Sequence, residues 1–260
     1  LRVPFQFQNV EVREEGRGPT IVLVHGYPFD GDLWLPVSRL LSKSFRVLRP
    51  DFPGRRDTPR PQEPSLRAYA AWLAAVVGAA DARVGIAGFS MGGYALLEFL
   101  RQKPPGVAAA AFINTQAGSD SESARRARDE VISMAREMGP RPVTAKLLRR
   151  LLSPASLGNE TLIREILALM ETESPWTLEA DVLAMRDRPD SRPFLPEIPI
   201  PSLVVSGADD ALISRETTQE LARLIPGASL VEIPGVGHLS PLEKPADVAA
   251  AMEKFFTRAL

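Results

Sequence analysis

The chain has 260 residues, 45% of them hydrophobic, enough for one domain with a full core. A net charge of -1, from 31 basic and 32 acidic side chains, excludes the cationic footprint that nucleic acid or an anionic membrane would require. No cysteine and only two histidines exclude disulfides, thiolate catalysis and cysteine-ligated metals, and leave little for a histidine-rich metal centre, so the expectation is cofactor-free chemistry on a small-molecule partner.

The opening residues, Leu1 to Val12, alternate polar and apolar side chains and lack the basic start and apolar core of a signal peptide. The alanine-rich stretch Leu66 to Ala80 meets charge at Arg67 and Asp81, too short a run to span a membrane. These features predict a soluble, cytoplasmic protein, either a monomer or a small homo-oligomer. Arginine outnumbers lysine 26 to 5, a balance found in some thermostable proteins and equally explained by a GC-rich genome.

In chain order, Val3 to Arg13 reads as an antiparallel edge or hairpin. Thr20 to Val24 is a β-branched apolar run ending at His25-Gly26, the pattern of a buried parallel strand that feeds a loop. Phe45 to Leu48, Arg83 to Ala87, Leu203 to Val205 and, more weakly, Ala108 to Ile113 repeat it. Helical stretches over Leu33 to Leu41, Leu66 to Val77 and Met91 to Arg101 lie between, and such alternation predicts a parallel sheet with helices on both faces. From Gly118 to Leu195 charge-rich helical patterns (Ser121 to Met138, Val143 to Leu152, Thr161 to Glu171) follow one another without a strand. Their apolar positions, among them Met134, Met138, Leu148, Leu162, Leu169 and Trp176, need a surface, and the carboxyl edge of the sheet supplies one. The division is therefore a core of residues 1–117 and 196–260 with a helical cap, 118–195, inserted in it. The proline-dense run Pro189 to Pro201 reads as a stiff return linker.

Gly88-Phe89-Ser90-Met91-Gly92 fits Gly-x-Ser-x-Gly between a strand and a helix, the context that motif needs. A serine on so sharp a turn is lifted clear of the sheet beside a helix N-terminus, where N–H groups favour developing negative charge. The bland reading, a glycine-rich turn with a capping serine, loses weight in that context. A serine hydroxyl needs a base near neutral pH, and only His25 and His238 can serve. His238 ends the glycine-rich loop Gly235-Val236-Gly237 after the run Leu230 to Ile233 and is assigned as the base; His25 would break the Ser, Asp, His chain order and is assigned a structural role. Asp209 and Asp210 both follow the strand Leu203-Val204-Val205 and could orient the imidazole. Backbone N–H groups of Tyr27 and Met91 are assigned to a two-donor oxyanion hole.

His25-Gly26-Tyr27, Arg49-Pro50-Asp51-Phe52-Pro53-Gly54, the Gly88 to Gly93 segment, Gly207-Ala208-Asp209-Asp210 and Gly235-Val236-Gly237-His238 together resemble the α/β-hydrolase superfamily over nearly the whole chain, and within it the capped, cofactor-free branch of carboxylesterases, enol-lactone hydrolases, C–C bond hydrolases and perhydrolases. The resemblance implies a mostly parallel eight-stranded sheet, no cofactor or metal, and selects Asp210 as the acid, with Asp209 a loop hydrogen-bonder or cap. It implies a serine carboxylesterase acting through an acyl-enzyme on small to medium esters. An enol-lactonase or C–C hydrolase with the same triad is the alternative, and a non-enzymatic ligand-binding member is disfavoured by intact Ser90, Asp210 and His238. Phe29, Trp176 and Leu212 are nominated as pocket residues. One departure stands out: Arg55-Arg56-Asp57 replaces the His-Gly-x-Ser often found after Pro-Gly in this family.

Overall fold

A computed structural model describes all of residues 1–260. Its strands are β1 (Arg2–Phe5), β2 (Gln8–Glu11), β3 (Arg13–Glu15), β4 (Thr20–Val24), β5 (Arg46–Arg49), β6 (Val84–Phe89), β7 (Val107–Ile113), β8 (Ser202–Gly207) and β9 (Ser229–Ile233). Its helices are α1 (Leu35–Leu41), α2 (Leu66–Ala79), α3 (Met91–Arg101), α4 (Glu122–Met138), α5 (Pro140–Leu151), α6 (Glu160–Met170), α7 (Pro175–Arg186), α8 (Arg215–Leu224), α9 (Ser240–Glu243) and α10 (Pro245–Ala259). Local chemistry sets several helix ends. Ser65, Ser121, Ser174 and Ser214 each accept a backbone N–H of the first turn they cap. Gly139, at φ 77°, ends α4, and Pro140 opens α5 behind it.

The main sheet runs β3-β5-β4-β6-β7-β8-β9, parallel throughout except for β3 against β5. It has seven strands, not the eight expected. The difference lies in the opening segment. β1 and β2 pair only with each other, and β3 alone joins the sheet edge. Burial explains the split: Val3 and Val10 are enclosed in the core cluster of α2, and Phe5 sits 4.9 Å from the Trp72 ring, so the hairpin covers α2 instead of extending the sheet.

Side chains alternate across the sheet, as the period of an extended strand requires. Val22 and Val24 of β4, Ala110 and Phe112 of β7 and Val204 of β8 enter a core shared with α2 and α3. Their neighbours Ile21, Leu23, Ala109, Ala111, Leu203 and Val205 enter the opposite core with α1 and α10. β4, β6 and β8 are buried on both faces along their whole length and read as near-continuous apolar runs.

Between β7 and β8 come only helices, α4 to α7, and they pack into both cores: Ile132, Ala135, Leu178 and Val182 into the first, Leu148, Leu151, Ile166 and Met170 into the second. Met138 does not follow the expectation that it packs; it is 63% exposed, at the end of α4. A 3-10 turn, Arg192–Glu197, interrupts the proline-rich return. No helix is long and apolar enough to cross a membrane.

Phe256 of α10 fills the space above the missing side chain of Gly85 and is fully buried. Phe256→Ala is expected to lower unfolding stability by about 3–5 kcal/mol in denaturant titration, because it removes a fully buried ring and leaves a cavity over Gly85.

Candidate active site

Ser90 joins β6 to α3 with φ 50° and ψ -114°, a conformation that non-glycine residues rarely adopt. It can be held there because its flanks are bare. A Cβ on Gly88 would lie 2.5 Å from the Gly92 carbonyl oxygen, and one on Gly92 would lie 2.5 Å from those of His25 and Val24. Backbone bonds complete the support: Ser90 N–H donates to Ile113 O (2.9 Å), and the Thr115 hydroxyl donates to Ser90 O (2.8 Å).

His238 Nε2 lies 2.9 Å from Ser90 Oγ, and its Nδ1 lies 2.8 Å from Asp210 Oδ2. The imidazole thus bridges the two, and its residue is 2% exposed. The other carboxylate oxygen of Asp210 accepts the backbone N–H groups of Leu212 (2.8 Å) and Ile213 (3.0 Å), while Asn114 Nδ2 donates to Oδ2 (3.0 Å). Burial pushes the Asp210 carboxyl up. The charge and hydrogen bond of His238, with the Asn114 and Ile213 donors, outweigh that and hold it below its ordinary value. This arrangement can take a proton from Ser90 onto Nε2 while an ionised carboxylate steadies the resulting imidazolium. Asp209 is exposed; its N–H donates to Val236 O (2.8 Å).

The turn Gly26 to Phe29 lies against the elbow, closed by a bond from Phe29 N–H to Gly26 O (3.0 Å). Tyr27 lies in this turn and Met91 opens α3, and neither backbone N–H donates to another group of the protein, so both can serve an oxyanion formed at Ser90. His25 is occupied elsewhere: its Nε2 accepts the N–H of Phe52 (3.0 Å), so Nδ1 carries the proton and donates to Gly26 O (3.1 Å). Burial, then the nearby charge of Arg55, keeps that ring neutral, with its pKa well below the ordinary histidine value.

Ser90 and His238 open onto a cavity of about 330 Å³. Tyr27, Tyr94, Val131, Leu147, Leu151, Met185, Leu212 and Ile213 supply apolar wall, and Gln116, Asp120, Arg128 and Arg150 supply polar wall. Asp120 is held by Arg128 (3.1 Å) and Arg188 (2.7 Å), whereas the exposed side chain of Arg150 makes no ion pair. Of the three nominated pocket residues only Leu212 lines this space. Phe29 is fully buried in the core beneath the turn, with Leu33 and Trp34 in the same cluster. Trp176 packs on Gly54 with the Arg60 guanidinium 4.7 Å over its ring. No group of three or more His, Asp or Glu side chains is placed to hold a metal ion.

Sequence reasoning missed Asn114, whose amide also donates to Gly237 O (3.2 Å) and whose oxygen accepts the Ser240 hydroxyl. A polar residue just past an apolar strand was the available signal. It also missed Glu243, which accepts Ser153 N–H (2.9 Å) and Gly237 N–H (3.0 Å), and Leu151, whose carbonyl accepts His238 N–H (2.8 Å).

Residues 21–251 match the sequence profile of the alpha/beta hydrolase family. The chain belongs to that family. This α/β hydrolase is 28% identical over 249 residues to a pimeloyl-[acyl-carrier protein] methyl ester esterase of Aromatoleum aromaticum, covering 90% of the chain and 97% of that relative. Among solved structures it resembles a thermophilic esterase from Thermogutta terrifontis, a malate-bound form (TM-score 0.93, 29% identity, 100% of this chain and 98% of that one). It is also similar to the enol-lactonase from Burkholderia xenovorans (TM-score 0.87, 26% identity, 96% of each chain).

Two outcomes follow from this geometry. Gly92→Val is expected to abolish reactivity at Ser90, read by loss of labelling with a fluorophosphonate, since the added side chain has only backbone to meet. Asn114→Ala is expected to cost about 1–3 kcal/mol at pH 7, because it leaves buried partners unpaired. Stabilisation carried by the depressed Asp210 is present above the ordinary carboxyl value of 3.8 and lost as pH falls through the lower native one, so the gap between mutant and wild type narrows in unfolding measured below that pH.

Proposed function

We propose that this α/β hydrolase cleaves carboxylic esters with small to medium acyl groups through an acyl-enzyme on Ser90. The observation that carries the reading is the single imidazole set between Ser90 Oγ at 2.9 Å and Asp210 Oδ2 at 2.8 Å. Ser90 Oγ attacks the ester carbonyl as its proton passes to His238 Nε2. The carbonyl oxygen becomes an oxyanion and accepts from Tyr27 and Met91 N–H, donors each worth about 2.7–4 kcal/mol where such holes have been dissected. The intermediate collapses, the C–O bond breaks, and the alkoxide leaves with the proton from Nε2. Water then gives a proton to Nε2 and attacks the acyl carbon, and Ser90 departs by taking that proton back. Asp210 remains ionised throughout, consistent with its depressed pKa. The scheme needs no cofactor. A cavity of about 330 Å³ with a largely apolar wall supports a modest acyl group, and the esterase relatives support the reaction type.

Arg150, exposed and free of ion pairs where it lines the cavity, supports a second reading in which the substrate is a lactone bearing a carboxylate, in keeping with the enol-lactonase neighbour. The same triad would open the ring, with the leaving oxygen still tethered.

Hydrolysis of p-nitrophenyl esters from acetate to laurate tests the first reading. Wild-type activity is expected to peak at short chains, and Ser90→Ala to lower kcat by at least about 10,000-fold. A folded wild-type protein inactive on every chain length, but active on a carboxylate-bearing lactone, would move the assignment to the second.

A further inference from the structure

Arg55 is part of the departure from the family pattern noted in the sequence, and neither the relay nor the cavity wall uses it. Its side chain is 4% exposed. Its Nε–H is directed at both Phe29 O (3.0 Å) and Glu173 Oε1 (3.0 Å), and its Nη2 lies 2.6 Å from Asp181 Oδ2 and 2.9 Å from Glu173 Oε2. Glu173 precedes α7 and Asp181 lies on it, both in the helical insertion; Phe29 closes the turn whose second residue is Tyr27. One guanidinium therefore holds two parts of the molecule that meet at the active site.

The surrounding contacts stiffen this tie. The Tyr69 hydroxyl donates to Asp181 Oδ1 (2.6 Å), and its ring stacks on Phe52 at 4.5 Å. Phe52 in turn donates its N–H to His25, at the start of the same turn. Gly54, at φ 91°, has its missing side-chain position filled by the Trp176 ring of α7, so the loop bearing Arg55 is seated against the insertion. Burial alone would lower the Arg55 pKa; Asp181 and Glu173 more than offset it and keep the guanidinium charged.

An ion cluster of this kind is a poor device for stability, because well-packed neutral groups of similar volume often serve as well or better. What neutral apolar replacements do not supply is the N–H that holds the Phe29 carbonyl. We infer that Arg55 is a positioning residue for the oxyanion turn, so that Tyr27 N–H stands in register only while the Glu173 and Asp181 carboxylates of the insertion are docked on the same guanidinium. The inference rests on the ester-hydrolysis reading of Ser90 and adds to it a coupling between the insertion and the oxyanion donor.

The test separates positioning from mere stability. Arg55→Met combined with Glu173→Gln and Asp181→Asn removes the cluster without leaving a buried charge unpaired, and Arg55→Lys keeps the charge but cannot reproduce the fork. Tm, kcat and KM for p-nitrophenyl acetate, and the rate of Ser90 labelling by a fluorophosphonate, are measured for both and for wild type. The triple variant is expected to stay folded at the assay temperature with a lowered Tm, because Phe29 O and the new amides lack partners, while kcat and the labelling rate fall together by about tenfold or more and KM shifts by less than about threefold, the pattern of an interaction made only in the transition state. Arg55→Lys is expected to recover part of that loss. A folded triple variant with wild-type kcat would overturn the inference whatever its Tm. Should the triple variant not fold, a folded Arg55→Lys protein with reduced kcat at unchanged KM supports the inference, and one with wild-type kcat overturns it. Wild-type protein inert to both reagents would overturn the ester reading and this inference with it, whereas reactive wild type with unaffected variants overturns the inference alone.

Discussion

The backbone at Ser90 is the constraint on which the site depends. Its φ of 50° and ψ of -114° cost an amount of order 1–3 kcal/mol, and such a conformation persists only where its surroundings leave no alternative. Bare flanks at Gly88 and Gly92 admit it, and the end of β7 holds it through Ile113 O and the Thr115 hydroxyl. Parallel pairing extends the consequence across the sheet. Because β4, β6, β7, β8 and β9 all run the same way, the residues that follow them, Tyr27, Ser90, Asn114, Asp210 and His238, emerge at one edge. Every contact of the bridge between Ser90, His238 and Asp210 is made there.

Two buried ionic arrangements lie close to that edge and are balanced differently. Asp210 is stabilised by neutral donors and one imidazole, so its charge is available to steady a proton on His238. Arg55 donates to the Glu173 and Asp181 carboxylates and to the Phe29 carbonyl, and the Tyr69 hydroxyl donates to Asp181, so each guanidinium nitrogen has an acceptor. In the ester-hydrolysis reading proposed above, the first steadies a proton passed from Ser90 to the ring. The second restrains geometry, through the Phe29 carbonyl.

The helical insertion touches both sides of the site. The end of α5 accepts the N–H of His238 through Leu151 O, and Glu243 bridges Ser153 of the insertion to Gly237 beside the histidine. On the far side Glu173 and Asp181 reach Arg55 and, through it, the turn that contains Tyr27. The insertion also shares its apolar faces with both cores of the sheet. A displacement of these helices therefore disturbs the histidine loop and the turn together, which makes the insertion part of the site's framework as well as one wall of its cavity.

The sequence by itself determined a great deal where the physics is local. Buried parallel strands need unbroken β-branched runs, so β4 was legible over Thr20 to Val24, and the elbow needs small residues at fixed offsets, so Gly88, Ser90 and Gly92 announced it. Membership of the alpha/beta hydrolase family follows from the order of such motifs. The tertiary structure alone decided matters that depend on distant segments meeting. Whether the first hairpin extended the sheet or covered α2 was settled by packing of Val3, Val10 and Phe5 against that helix, which no local pattern encodes. Phe29 and Trp176 had the right chemistry for a pocket wall, yet one is enclosed in the core and the other rests on Gly54, because an apolar side chain carries no label for which apolar surface it will cover. Asn114, Glu243 and Arg55 gained their partners across separations of 96, 90 and 126 residues, and only the folded chain brings those atoms within hydrogen-bonding reach.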